Sequence, residues 1–353
     1  MNSVSKERLV LAVCGVLAAA VAIALALGGN PGNMAICVAC FIRDTAGAMK
    51  LQTVETLQYV RPEIIGIVLG ACLISFVGRE FKPTAGSSPF TRFVLGFVVM
   101  IGCLMFLGCP LRMVLRMAGG DLNAWVALVG FALGILTGIF FLKKGFSLGR
   151  ASDARVVEGA AFPLVMLLVF VLSVATTIFV ASTKGPGSIH APLVVSIIAG
   201  LVFGALAQKS RLCFAGGLRD VFLVRDFSGL IVIIVLFAGV LAYNLAAGTF
   251  NLGFENQPIA HSDALWNILG MYVVGFGATL LGGCPLRQLV LAGSGNGDSA
   301  VAVAGLLVGA AFAHNFGLAS SAAGPTAAGQ IATVACIAVL LVIAVANLIR
   351  KKA

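Results

Sequence analysis

Long apolar runs broken by short polar stretches fill the chain. A helix crossing a bilayer needs about 20 apolar residues, with a working range of about 17–25. Ten runs are read as such spans: Leu9–Leu27, Pro62–Val77, Phe93–Leu107, Leu122–Leu142, Ala160–Ala181, Ala191–Ala207, Phe227–Ala247, Leu265–Leu281, Ser299–Phe316 and Ala327–Ile349. In lipid, a lone segment satisfies its backbone hydrogen bonds only as a helix. The expected fold class is therefore an all-α polytopic membrane protein. Leu9–Leu27 follows Lys6 and Arg8 in the manner of a cleaved signal peptide, but a counterpart in the second half favours a retained span. Four further stretches, carrying Cys37, Cys109, Cys213 and Cys284, are too short to cross and suit re-entrant pieces. Asn30-Pro31-Gly32-Asn33 and Gly282-Gly283 supply irregular backbone there. Such backbone is tolerated at membrane depth only under cover of protein or water.

The pattern repeats. Gly108-Cys109-Pro110-Leu111-Arg112 recurs as Gly283-Cys284-Pro285-Leu286-Arg287, an offset of 175 that also places Gly102 on Gly277, Gly130 on Gly305 and Gly134 on Gly309. Upstream, at an offset of 176, Cys37, Ala39, Arg43 and Asp44 fall on Cys213, Ala215, Arg219 and Asp220. The chain thus reads as two five-span units. The first repeat with its linker, Lys143–Glu158, occupies 1–158; its fifth span, 160–181, and the second repeat occupy 159–353, all in one membrane domain. Because five is odd, the second unit is inverted relative to the first, a transporter arrangement. Four re-entrant pieces, two from each side, would then meet as an hourglass.

Composition fits this reading: 60% of the 353 residues are hydrophobic and 10% charged, and mean hydropathy is +1.09. Soluble domains carry about a quarter charged residues. A net charge of +10 would suggest nucleic acid in a soluble chain, but basic residues here mark cytoplasmic loops. With both termini cytoplasmic, 17 of the 23 Lys and Arg fall on that side; Arg43, Lys50, Arg61, Arg112, Arg116 and Lys184 fall on the other. No soluble domain, nucleic-acid partner, nucleotide loop or metal set is visible, and no cofactor or catalytic residue is expected. Cys14, Cys72, Cys103 and Cys336 lie in apolar runs and read as small hydrophobes. His190, His261 and His314 have no repeat partners and read as loop or packing residues.

The chemistry concentrates at the repeat motifs. Short helices starting or ending at the waist would present partial positive charge and unpaired N–H groups to an anion. A free thiol, with a pKa of about 8.5, is mostly protonated near neutrality and donates a weak S–H bond. Cys37, Cys109, Cys213 and Cys284 are the candidate pore and substrate-binding residues. Cys40, Arg43, Arg112, Arg219, Arg287, Pro110 and Pro285 support them, with the Arg residues shaping the vestibules or pairing with Asp44 and Asp220. Cys37-x-x-Cys40 has redox spacing, so a membrane thiol–disulfide oxidoreductase is the alternative function; Gly216 replaces Cys40 in the second repeat and speaks against it. No acidic residue stands out as buried alone, so no driving ion is assigned.

These motifs resemble the YeeE/YedE family of membrane transporters for sulfur compounds, over nearly the whole chain. Gly32–Asp44 resembles the YedE branch associated with selenium metabolism. The resemblance implies an hourglass-shaped bacterial inner-membrane protein that takes up thiosulfate, passing the anion along pore cysteines by S–H···S contacts. The pore roles would fall on Cys37, Cys109, Cys213 and Cys284; the family has three essential cysteines where four match here. The implied partners are the lipid bilayer, a small sulfur- or selenium-containing anion, and a cytosolic protein that handles sulfur or selenium.

Overall fold

The computed structural model describes residues 3–352; Met1, Asn2 and Ala353, the outer ends of the two repeats read from the sequence, lie outside the described residues. Fourteen α-helices account for most of the described chain: α1 (Ser3–Leu27), α2 (Val38–Ala48), α3 (Pro62–Val77), α4 (Pro89–Phe106), α5 (Pro110–Ala118), α6 (Leu122–Lys143), α7 (Val156–Ala175), α8 (Leu193–Lys209), α9 (Phe214–Val224), α10 (Ser228–Ala246), α11 (Ala264–Leu281), α12 (Pro285–Gly293), α13 (Gly297–Asn315) and α14 (Ala327–Lys352). A two-residue antiparallel pair, Thr84–Ala85 with Ser152–Asp153, ties the linker to the loop before α4. Ten helical stretches are long and apolar enough to cross a membrane, as the hydrophobic pattern predicts. On α7, Leu164, Val165, Leu168 and Val171 are each at least half exposed. In water such a surface would be costly; against lipid it is the expected outer face. This is a multi-pass membrane protein.

Two expected boundaries shift. The fifth span was expected at 160–181 after a linker ending at Glu158, but α7 starts at Val156 and stops at Ala175. Glu158 accepts a bond from the Arg155 backbone N–H at 3.2 Å, which starts the helix inside the expected linker. Thr176 then turns to an extended conformation, although the sequence stays apolar.

Helix order recurs between the halves: a long helix, an 11-residue helix, two long helices, a nine-residue helix and two long ones. The principal packing is reciprocal: α3 lies on α8 and α1 on α10; α6 lies on α11 and α13 on α4. Glycines make the second set possible. A Cβ at Gly130 would strike the Ile268 carbonyl and one at Gly134 that of Tyr272; a Cβ at Gly305 would strike the Phe93 carbonyl and one at Gly309 that of Phe97. The offset of 175 relates all four contacts. Helices in lipid gain little from the hydrophobic effect, so such close backbone approach supplies the van der Waals contact that holds them. The α7 and α14 pair departs from this reciprocity: α7 packs on α3, whereas α14 packs on α4 and α11.

Gly134→Leu should therefore destabilise the purified protein by about 1–3 kcal/mol through overpacking. Gly253→Ala, where a Cβ meets nothing within 4 Å, should change stability by less than about 0.5 kcal/mol. Thermal midpoints in detergent decide; equal midpoints for the two variants would refute the close-packing account.

Candidate functional site: four cysteine-capped helices

Each repeat-matched cysteine is the N-cap of one of the four short helices. Cys37 and Cys213 precede α2 and α9 with φ of −137° and −150°, and their sulfurs accept from the backbone N–H of Cys40 (3.3 Å) and Gly216 (3.1 Å). Cys109 and Cys284 precede α5 and α12, where Pro110 and Pro285 take the first helical position. Proline suits that position because its missing N–H would have no partner there anyway. Thiols are not among the favoured N-caps. Their use here leaves soft sulfur, rather than an oxygen, at four partially positive helix ends.

The short helices form a closed ring of neighbours. Cys37 Sγ lies 3.9 Å from Cys109 Sγ, joining α2 to α5. The Cys284 backbone N–H donates to Cys213 Sγ at 3.4 Å, joining α12 to α9. Helix α5 also packs on α9, and α2 on α12. Cys40 Sγ lies 2.8 Å from Cys37 Sγ; both are free cysteines. The structure therefore brings together all four expected pore cysteines in two pairs, with Cys40 added to one.

Access differs at Cys213: Cys37, Cys40, Cys109 and Cys284 are all 0–1% exposed. Cys213 lines a cavity of about 510 Å³ with Arg211, Arg219, Arg287, Asp220 and Glu7. A second cavity, of about 310 Å³, is lined by Ala26, Leu27 and Asn33. The cavity on Cys213 touches Glu7 and Leu11 of α1, so the two cavities sit toward opposite ends of that helix. A third cavity, of about 500 Å³, is lined by Arg43, Leu107, Ile259 and His314. Between it and the cysteines stands Arg112. Its guanidinium donates to the carbonyls of Leu107, Asn33 (3.2 Å) and Ile259 (3.2 Å), to Asn33 Oδ1 (3.1 Å) and to Cys40 Sγ (3.5 Å). Asn33 itself donates to the Pro258 carbonyl. The loop before α11 is thereby latched over Cys37 and Cys109. Leu107 joins the latch at a positive φ of 62°, where the second repeat has Gly282 at 89°. Such a conformation costs a non-glycine residue about 1–2 kcal/mol.

The arginines divide sharply. Arg43, Arg61, Arg112 and Arg116 were expected among the loop charges of one membrane face, but all four are buried. Arg61 and Arg112 find acceptors in distant segments, whereas Arg43 and Arg116 pair with the nearby Asp44 and Asp121. Asp44 takes Arg43 at 2.7 Å and Arg61 at 2.7 Å on its two oxygens, and Asp121 takes Arg116 at 2.6 Å. Arg219 pairs with Asp220 at 2.8 Å in a half-exposed setting. Among the described residues, neither Arg112 nor Arg287 forms an ion pair; Arg287 donates to Gln208 Oε1 at 3.3 Å. Arg43 and Arg219, read from the sequence as shaping the vestibules or pairing with Asp44 and Asp220, do pair with those aspartates, and Arg219 also lines the cavity on Cys213. Arg112 and Arg287 lie beside the thiols without a carboxylate partner. Asn33 and Gln208, which hold these two, carry no signal in the sequence beyond the irregular backbone around Asn33.

The remaining candidates pack as expected of loop or core residues. His190 stacks on Tyr59 at 3.9 Å. His261 bonds the Met105 carbonyl at 2.9 Å, and burial holds its imidazole below the ordinary histidine range. No three His, Cys, Asp or Glu side chains among the described residues are placed to hold a metal ion.

With this geometry in place, the comparison with known families is informative. Residues 209–352 match the family model for sulphur transport. The match takes in Cys213 and Cys284 with the second half of the chain, and leaves Cys37 and Cys109 outside it. It supports the YeeE/YedE resemblance and, with the ten apolar helices, a membrane transporter of sulfur compounds.

Removing one partner of a buried ion pair strands the other's charge, at a cost of about 3–5 kcal/mol, whereas an exposed pair is worth about 0–1 kcal/mol. Asp44→Ala should accordingly abolish or sharply lower the yield of folded protein, while Asp220→Ala should leave it nearly unchanged. Size-exclusion profiles of the two variants test this, and similar losses in both would contradict it.

Proposed function

We propose that this protein imports a small sulfur-containing anion of the thiosulfate type along Cys37 and Cys109, then Cys284 and Cys213. The observation that carries the reading is the ring of four short helices, each capped by a repeat-matched cysteine. A helix N-terminus attracts an anion, and a neutral thiol adds a donor that is soft and sulfur-matched. Arg112 and Arg287 supply the charge. A buried cation without a carboxylate partner costs several kcal/mol, and an anionic substrate would provide the missing partner. The latch on Arg112 is made only of neutral oxygens and one sulfur, so a doubly charged anion competes well for the guanidinium. The structure then corresponds to a state closed over Cys37 and Cys109 and open at Cys213.

In this reading the two five-span units are inverted repeats and the Cys-bearing segments are re-entrant. The protein sits in a bacterial inner membrane with both termini cytoplasmic, and Cys213 faces the cytosol. A selenium counterpart of thiosulfate has the same charge and nearly the same shape; Cys40, where the second repeat has Gly216, is the thiol that would tune the choice. A cytosolic sulfur- or selenium-handling protein would collect the product at the cavity on Cys213. The oxidoreductase alternative is less well supported. Disulfide exchange requires a sulfur that the partner can reach, and Cys37 and Cys40 are both fully buried.

Cys109→Ala and Cys284→Ala should each lower thiosulfate uptake about tenfold or more, the loss expected from one hydrogen bond to a charged group. Cys336→Ala, in the separate cluster around α14, should retain it. Uptake of labelled thiosulfate and of a selenium analogue by cells lacking their own thiosulfate importer measures both effects. Normal uptake by both pore variants would sink the thiol path.

A further inference from the structure

The sequence singles out no acid as buried alone, but the structure does. Glu63, the second residue of α3, is fully buried. Among the described residues it is the one buried acid without an ion pair: Asp44, Asp121 and Asp298 all have arginine partners. Its Oε1 accepts from Asn30 Nδ2 at 2.9 Å and Ser196 Oγ at 3.1 Å. Its Oε2 is buried with no partner. Oε2 is therefore open to a proton, which it can carry while Oε1 keeps its bonds to Asn30 and Ser196.

Glu63 is also wired to the thiols. Asn30, which binds its Oε1, donates to the Ala35 carbonyl at 2.9 Å, two residues before Cys37, and accepts from the Ala191 N–H at 2.9 Å. Four titratable or charged groups flank the carboxyl. Tyr59 and Arg61 precede it in the chain, Asp44 on α2 holds Arg61, and His190 stacks on Tyr59. From α8 the contact is the neutral Ser196. Glu80 follows the far end of α3, where Gln208 joins it to Arg287, so that cation is remote from Glu63.

We propose that Glu63 is the proton site that couples anion uptake to inward proton movement. This rests on the transporter reading. An anion entering a cell moves against a membrane potential that is negative inside, so accumulation needs a compensating cation. A proton carried at Glu63 offsets one of the anion's two charges and adds the proton gradient as a driving force: the carboxylate gains a proton on the side where substrate enters and returns it on the other, with no other bond changed. Because Asn30 links this carboxyl to the segment before Cys37, its charge state bears directly on how that segment is held.

Purified protein in proteoliposomes, with radiolabelled thiosulfate as the probe, tests this. Three readings are needed: thiosulfate counterflow without gradients, accumulation driven by an inward proton gradient with the membrane potential clamped at zero, and the internal pH reported by a trapped dye. The wild type should accumulate thiosulfate several-fold above equilibrium, with internal acidification as thiosulfate enters. Glu63→Gln preserves the shape and the Asn30 and Ser196 bonds. It should keep counterflow yet lose gradient-driven accumulation and the pH dependence of the rate. Accumulation equal to wild type in Glu63→Gln would overturn the proposal. So would wild-type counterflow with no response to the gradient and no acidification, a result that needs no variant to fold. Absence of wild-type counterflow would instead overturn the transporter reading on which the proposal stands.

Discussion

A backbone N–H or C=O in the hydrocarbon of a bilayer has no water to bind, and leaving it unmade costs several kcal/mol. A helix that begins at membrane depth exposes four such N–H groups at once. Four short helices of this protein begin at largely buried positions, after Cys37, Cys109, Cys213 and Cys284, and their first N–H groups must be satisfied within the fold. Proline removes one donor at the start of α5 and α12, and the Cys37 and Cys213 sulfurs accept from one at the start of α2 and α9. The long helices α6 and α11, and α4 and α13, pack on each other through glycine-lined contacts.

Much of this frame is legible in the sequence because lipid enforces a length. All ten spans appear as apolar runs, and Pro62–Val77 matches α3 at both ends. The glycines Gly130, Gly134, Gly305 and Gly309 announce themselves by their shared offset, and the structure gives the reason in four related backbone contacts. Where the apolar pattern misleads, local chemistry decides. The run through Ala181 reads as one span, yet α7 ends at Ala175, where Thr176 takes an extended conformation. The charge pattern was less reliable at Arg43, Arg61, Arg112 and Arg116. A loop arginine and a buried one look alike until their acceptors are known, and Arg112 finds one 147 residues away in Ile259.

At the site itself, sequence periodicity located the cysteines but not their geometry. Nothing in residue type says that a thiol will cap a helix, because serine, threonine, aspartate and asparagine do so more often. Pro110 and Pro285 were the available signal, since proline favours the first helical turn. Glu63 left even less trace: it sits at the edge of an apolar run, where an acid normally meets headgroups and water. Its burial arises from Asn30 and Ser196, 33 and 133 residues away.

The two halves share a frame but not a setting, and the difference has direction. On one side Arg112 is locked by five acceptors, Leu107 holds a strained turn, and three thiols are sealed from solvent. On the other, Gly282 takes the same turn without strain, Arg287 holds a single glutamine, and Cys213 borders an open cavity. If the halves were energetically equal, the molecule would have no preferred resting state. The latch on Arg112 favours closure on its side; the strain at Leu107 and the uncompensated guanidinium oppose it. A strained residue costs about 1–3 kcal/mol and each of the five latch bonds contributes about 1.5–3 kcal/mol, so the latch outweighs the strain and it is the uncompensated guanidinium, at several kcal/mol, that narrows the balance. In the proposed transporter, an anion at Arg112 would compensate that charge and replace latch bonds, and so favour opening.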